Sequence, residues 1–112
     1  MSANNSLILI GNLTKDPEFK VFEKTESTLA EFSIAVNKKS SRGEDKPMFI
    51  DCKAWSYKDS KLAENIVEYC TKGKKVAVKG ELAFDQWENE KGKFSKHFMQ
   101  VYNVEFLWKK ED

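Results

Sequence analysis

Apolar and polar residues alternate along most of this chain with a period of two. Leu7 to Asn12 is an apolar run that stops at Gly-Asn, and a Lys-Asp-Pro-Glu turn follows. Leu29 to Val36 sets Phe32, Ile34 and Val36 against Glu31 and Ser33. Met48 to Trp55, Val76 to Phe84 and Phe94 to Trp108 continue the alternation, the last being long enough to bend. Such a pattern puts one side of an extended chain in a core and the other in water, so it predicts five strands. In the fourth, Val76, Val78, Gly80, Leu82 and Phe84 form the predicted core parity. The period changes once, between about Asp59 and Cys70. There Leu62, Ile66 and Tyr69 fall at helical spacing with Ala63 and Val67 beside them, which predicts an amphipathic helix packed on the core. Ser56 with Asp59 has the form of a capping box, and Gly73 is placed to end the helix. Polar stretches at Lys38 to Lys46 and Glu88 to Lys93 read as loops, the second a hairpin turn through Asn-Glu-Lys-Gly.

Three strands, a helix and two strands is the order of an OB-fold, a five-stranded Greek-key barrel with its helix between strands three and four. The predicted class is therefore all-β. At 112 residues the chain is expected to form one domain, with its core between about residues 6 and 108. Hydrophobic residues make up 40% and charged residues 33%, which suits a globular protein with a heavily charged surface. Cys52 and Cys70 sit in apolar segments without metal-like spacing and read as buried, reduced thiols. The N-terminus carries no basic leader, and no segment reaches the ~20 apolar residues of a membrane span. A cytoplasmic protein without cofactor or metal is expected.

A net charge of +1 excludes a simple polycation. The basic residues are nevertheless clustered, as Lys38-Lys39 with Arg42, as Lys72-Lys74-Lys75 and as Lys91-Lys93-Lys96. Of the 19 cationic residues only Arg42 is arginine. Lysine has no planar fork, so the chain is poorly equipped to read base edges. It is suited to holding a phosphate backbone regardless of sequence.

The third strand carries the functional signal. Ile50, Cys52 and Ala54 are small and apolar and belong to the core. The opposite parity reads Phe49, Asp51, Lys53, Trp55. Burying that row would strand two charges, and exposing it leaves two large aromatics in water. Aromatics interleaved with charge are what a base-stacking platform requires, each ring taking a base while lysines hold the phosphates. Past the end of the fourth strand, Trp87 stands in a Gln-Glu-Asn context poorly suited to burial. Across the turn, Phe94, Lys96 and Phe98 alternate in the same way. Trp87 and Phe94 can face each other across the hairpin, so Phe94 and Phe98 either stack bases or staple the strands.

These residues together resemble the bacterial single-stranded DNA-binding proteins. The likeness starts at Leu7-Ile8-Leu9-Ile10-Gly11-Asn12-Leu13 with Asp16-Pro17-Glu18 and extends from about Ser6 to Trp108. Phe49 and Trp55 stand where that family carries stacking aromatics, and Trp87 matches the tryptophan after its fourth strand. Lys72-Gly73 matches a Lys-Gly pair after the helix, and Val78-Lys79-Gly80-Glu81-Leu82 resembles the family's strand four. The resemblance implies a sequence-tolerant single-stranded DNA binder in replication, recombination and repair, assembled as a homotetramer. Phe49, Trp55, Trp87, Phe94 and Phe98 are its implied stacking residues, with Lys15, Lys39, Lys53, Lys72, Lys79 and Lys96 on the backbone. The chain departs from the family pattern in four places. Lys39-Ser40 replaces a loop tryptophan, Asp85-Gln86 replaces basic residues before Trp87, and Ile50 replaces a histidine. The glycine-rich linker and acidic tip that recruit repair proteins are missing, as expected of a trimmed, plasmid or phage version.

His97 is the only histidine and has no nucleophile or carboxylate at motif spacing. The chain has neither a Gly-rich phosphate loop nor paired carboxylates in apolar surroundings, so no enzyme is expected. The competing reading is an OB-fold assembly or primosome-like accessory factor that turns the same aromatics toward a protein partner. Protein interfaces are depleted of lysine at their centres, and here lysines interleave, which favours nucleic acid.

Overall fold

The computed structural model describes residues 4–39, 43 and 45–108. It contains β1 (Leu7–Leu13), β2 (Glu18–Phe22), β3 (Ser27–Lys39), β4 (Asp45–Tyr57), α1 (Leu62–Tyr69), β5 (Lys75–Asn89) and β6 (Gly92–Phe106). The strands form one sheet in the order β1-β5-β6-β4-β3-β2, and β1 also pairs with β3 at Asn12–Leu13. That last pairing closes five strands into a ring, the OB-type barrel expected from the element order.

Among the described residues there are six strands rather than five. The additional one, β2, follows the Asp16-Pro17 corner and lies antiparallel to β3, with Glu18 opposite Glu31 and Phe22 opposite Ser27. It is five residues long and exposed throughout, so it carries no buried stripe to betray it. Proline donates no backbone hydrogen bond, and the chain leaves β1 there to pair further along β3.

The ring encloses Leu13, Phe32, Ile34, Cys52, Ala54, Val76, Val78, Met99 and Val101, with Ala63 and Ile66 of α1 and Cys70 closing one end. Burial pushes the Cys52 thiol up to about 12 and the Cys70 thiol to about 11, so both stay protonated and inert at neutral pH. Two glycines make the closure possible. A Cβ on Gly11 would stand 2.5 Å from the Ala35 carbonyl oxygen where β1 meets β3. A Cβ on Gly80 would fall onto the Gln100 carbonyl, where the β5–β6 register shifts through a bulge.

The Gly-Asn-Leu corner ties down the turn after the helix. Asn12 Nδ2 donates to the Gly73 carbonyl at 2.9 Å, Gly73 N donates to the Leu13 carbonyl, and Lys72 N donates to Asp16 Oδ1 at 2.8 Å. Gly73, at φ +90°, therefore serves this turn rather than the helix end, which lies at Tyr69. The helix is shorter than its sequence pattern, and the predicted Ser56–Asp59 capping box does not form. Instead the buried Ser56 hydroxyl accepts the Ala63 N–H at 2.7 Å, capping α1 from the end of β4.

Beyond the ring the β3–β4 and β5–β6 hairpins run on. β5 extends to Asn89, so Trp87 lies within the strand rather than past its end. For the same reason Leu82 and Phe84, expected in the core, are 49% and 52% exposed. They keep the inward parity but have passed the rim of the barrel, and Phe84 rests against His97 with ring centroids 5.5 Å apart.

Candidate functional site

Strand parity gathers the predicted site residues on one side. On β4, Phe49, Asp51, Lys53 and Trp55 point away from the core that receives Cys52 and Ala54. On β6, which runs parallel to β4 with Lys53 opposite Gln100, the same side carries Phe94, Lys96 and Phe98. On β5 it carries Asp85 and Trp87, opposite Lys96 and Phe94. Contacts between strands confirm the shared face. Lys53 Nζ is 3.0 Å from Asp85 Oδ2 and 4.6 Å from the Phe98 ring centre, and Lys96 Nζ is 2.6 Å from Asp51 Oδ2. The Asp51 hydrogen bond and charge hold the Lys96 ammonium above its ordinary pKa.

The face has three parts. At one end Trp55 lies between Phe22, at 5.3 Å, and Tyr57, at 6.1 Å and nearly parallel. In the middle is an open cavity of about 260 Å³ whose lining includes Lys15, Glu31, Asp51, Lys53, Asp85 and Phe98. At the other end Trp87 and Phe94 stack across the hairpin, with centroids 5.9 Å apart and planes at 21°. A second cavity of about 350 Å³ opens there between Gln86, Trp87, Glu88, Lys93 and Phe94. Phe49 stands by itself on β4 and is 65% exposed.

Not every predicted residue joins this arrangement. Lys79 sits toward the start of β5 between Ile8 and Asn103, on the far side of the bulge from Trp87. Lys72 is exposed in the turn after α1, its backbone fixed to Asp16, next to Lys15 in the chain. Arg42 and the side chain of Lys39 lie outside the described residues. Phe98 is half-buried, with the Lys53 ammonium over its ring.

Two further residues lie on this face, Tyr57 and Phe22, and Lys93 lines the cavity beside Trp87 from the opposite parity. Tyr57 shares the parity of Phe49 and Trp55 and was legible two residues beyond Trp55. Lys93 precedes Phe94 and pairs with Glu88 next to the turn, so its side chain leaves the strand on the side away from Phe94. Phe22 had no signal, since its strand is set by pairing with β3.

Aromatics at each end of a charged sheet face, with a cavity between the two ends, suit a flexible chain of flat groups joined by anions. Comparison with known proteins agrees with that geometry. The profile described as the Single-strand binding protein family matches residues 4–107. The chain is 34% identical over 110 residues to single-stranded DNA-binding protein 1 of Synechocystis, covering 96% of this chain and 87% of the relative. It is 36% identical over 105 residues to single-stranded DNA-binding protein B of Bacillus subtilis, covering 92% and 83%. The single-stranded DNA-binding protein of Treponema pallidum is 36% identical over 110 residues, and there this chain spans 60% of the relative's length. With the profile spanning nearly its whole length and these relatives aligned along it, the chain belongs to the single-strand binding protein family.

Proposed function

We propose that this chain binds single-stranded DNA without sequence preference, laying bases on aromatic rings while lysines hold the backbone. The observation that carries the reading is the continuous outer face of β4, β6 and β5, exposed Phe49 and Trp87 included. Base stacking on such rings is sequence-tolerant because every base has a flat face. Trp55 and Trp87 are the principal platforms. Phe94 backs Trp87, Phe98 seats Lys53, and Lys93 serves the backbone beside Trp87. The residues from about 6 to 108 act as one binding domain, by binding rather than by catalysis. Protection of exposed strands during replication, recombination and repair, in the cytoplasm or on the nucleoid, follows from that activity. Among the described residues no helix is long and apolar enough to cross a membrane.

Assembly with further copies belongs to the same reading. Along Leu7–Gly11, β1 pairs with β5 on one edge, while its other edge meets β3 only at Asn12 and Leu13. Ile8 and Ile10 are exposed beside that free edge. An unpaired strand edge with apolar side chains is a template for a second copy. Light scattering is expected to show an oligomer, a tetramer by family resemblance, and a strict monomer contradicts the assembly.

The deciding measurement is a tryptophan-fluorescence titration with oligo-dT at two salt concentrations. Quenching is expected, with affinity falling as salt rises by a log–log slope of roughly −0.7 per phosphate neutralised. Duplex DNA, whose bases are already stacked, is expected to bind far more weakly. Absence of quenching at low salt rejects the function, and a salt-independent affinity points to a protein partner instead.

A further inference from the structure

Lysines that receive a polyanion are ordinarily free to do so. On this face they are not. Among the described residues there are four ion pairs, and all lie here: Lys53–Asp85, Lys96–Asp51, Lys20–Glu31 and Lys15–Glu18. The central cavity is lined by three lysines and four carboxylates, one negative charge in excess, although the whole chain carries +1. By contrast Lys93, beside Trp87, is in no ion pair among the described residues.

The Lys53 and Lys96 pairs are the ones with structural support. Lys53 reaches from β4 across β6 to Asp85 on β5, with the Phe98 ring beneath its ammonium, and its side chain is only 27% exposed. Lys96 and Asp51 join β6 to β4 next to their short parallel pairing at Cys52–Ala54. Both contacts therefore bridge the two hairpins where these begin to diverge. A phosphate that approaches either ammonium meets a carboxylate already seated on it.

We propose that Asp51 and Asp85 hold, in the free protein, the ammonium groups that DNA phosphates take in the complex. Binding at the centre of the face is then an exchange of carboxylate for phosphate. These two aspartates set the affinity and salt dependence of the site. The inference rests on the single-stranded DNA reading. Unlike that reading, it concerns only the middle of the face, and it leaves Lys93 and the Trp87 end free to make first contact.

The test is a fluorescence titration of oligo-dT against the wild-type protein, Asp51→Asn, Asp85→Asn, the double variant and the control Glu68→Gln. Glu68 is exposed on α1, away from this face. Asparagine keeps the shape of aspartate and removes its charge. Each single variant is expected to bind about threefold more tightly at low salt, and the double variant roughly tenfold, the scale of one near carboxylate–phosphate repulsion each. The salt slope is expected to steepen by up to about 0.7 for each lysine released. Affinity unchanged or weakened in both aspartate variants, with the wild type binding, overturns the exchange and leaves the DNA-binding function standing. Equal tightening by Glu68→Gln reduces the effect to net charge and also overturns it. No binding by the wild type rejects the function and the inference together.

Discussion

Trp55 and Trp87 stand on the same outer face, but one is supported by the closed barrel and the other by a hairpin that has left it. Trp55 belongs to a stretch of β4 paired with β3 across the way and fixed to α1 by its neighbour Ser56. Phe22 and Tyr57 flank its ring, and it is half-buried. Trp87 has one cross-strand partner, Phe94, no residue of the barrel core beneath it, and 47% exposure. A binding platform can thus be stiffened by the core or left to a two-stranded ladder. The first ties recognition to folding. The second separates them, so the ring can move or be lost without loss of the fold.

The strongest way to break this comparison is at the joint between the two regions. Gly80→Ala places a methyl group on the Gln100 carbonyl at the bulge where the hairpin leaves the ring. Backbone cannot yield there cheaply, and a loss of about 3 kcal/mol is expected by denaturant unfolding. Stability within about 0.5 kcal/mol of wild type means the joint is looser than described.

Trp55→Ala is expected to act on both properties. Affinity for oligo-dT falls by about 1–3 kcal/mol, the worth of one base stack. Stability falls by about 2 kcal/mol, less than for a fully buried aromatic. Trp87→Ala is expected to cost the same about 1–3 kcal/mol in binding. Its cost in stability is expected to stay below about 1 kcal/mol, because only the Phe94 stack is lost. Equal thermal shifts for the two variants erase the distinction between barrel-held and hairpin-held platforms. Unchanged affinity in both, with circular dichroism intact, rejects stacking altogether.

The smallest effect sharpens the account of the barrel end. Thr28, which faces Ser56 across the β3–β4 ladder, donates its hydroxyl to Glu64 Oε2 at 2.9 Å and so ties α1 to the strands under Trp55. Burial raises the Glu64 pKa, but hydrogen bonds from its own backbone N–H, Thr28 and Ser56, with the Lys61 charge, outweigh burial and leave it below the ordinary value. A lowered folded pKa means the ionised carboxylate stabilises the fold above the unfolded value of about 4.3, and that this contribution is lost as pH falls through the folded value. Glu64→Gln is therefore expected to cost about 1 kcal/mol at neutral pH and progressively less in acid. A deficit that persists unchanged below about pH 3 shows that packing, not charge, is involved.

Much of the platform was legible because strand parity is a local property. Phe49, Asp51, Lys53 and Trp55 had to share a side wherever β4 went, and so did Phe94, Lys96 and Phe98 on β6. The stacking of Trp87 on Phe94 was legible as a possibility, since the turn at Asn89–Gly92 sets them opposite. The end of the barrel was not legible. Leu82 and Phe84 continue the core parity of Val76 and Val78 without a break in pattern, and only the point at which β5 passes the rim decides that they meet solvent.

What the sequence determined by itself was the order of elements, the five ring strands, the inward parity and the aromatic character of the outer face. These depend on period and residue type, which act over a few neighbours. Tertiary structure decided the rest. It placed β2 and Phe22 beside Trp55, turned Ser56 into a cap for α1, and made the Gly-Asn-Leu corner a tether for the turn at Lys72–Gly73. Above all it set Asp85 on Lys53 and Asp51 on Lys96. Those charges are distant in the chain or split between strands, and only ring closure brings β4, β6 and β5 side by side. Coulombic pairing depends on that distance in space, which no periodicity encodes.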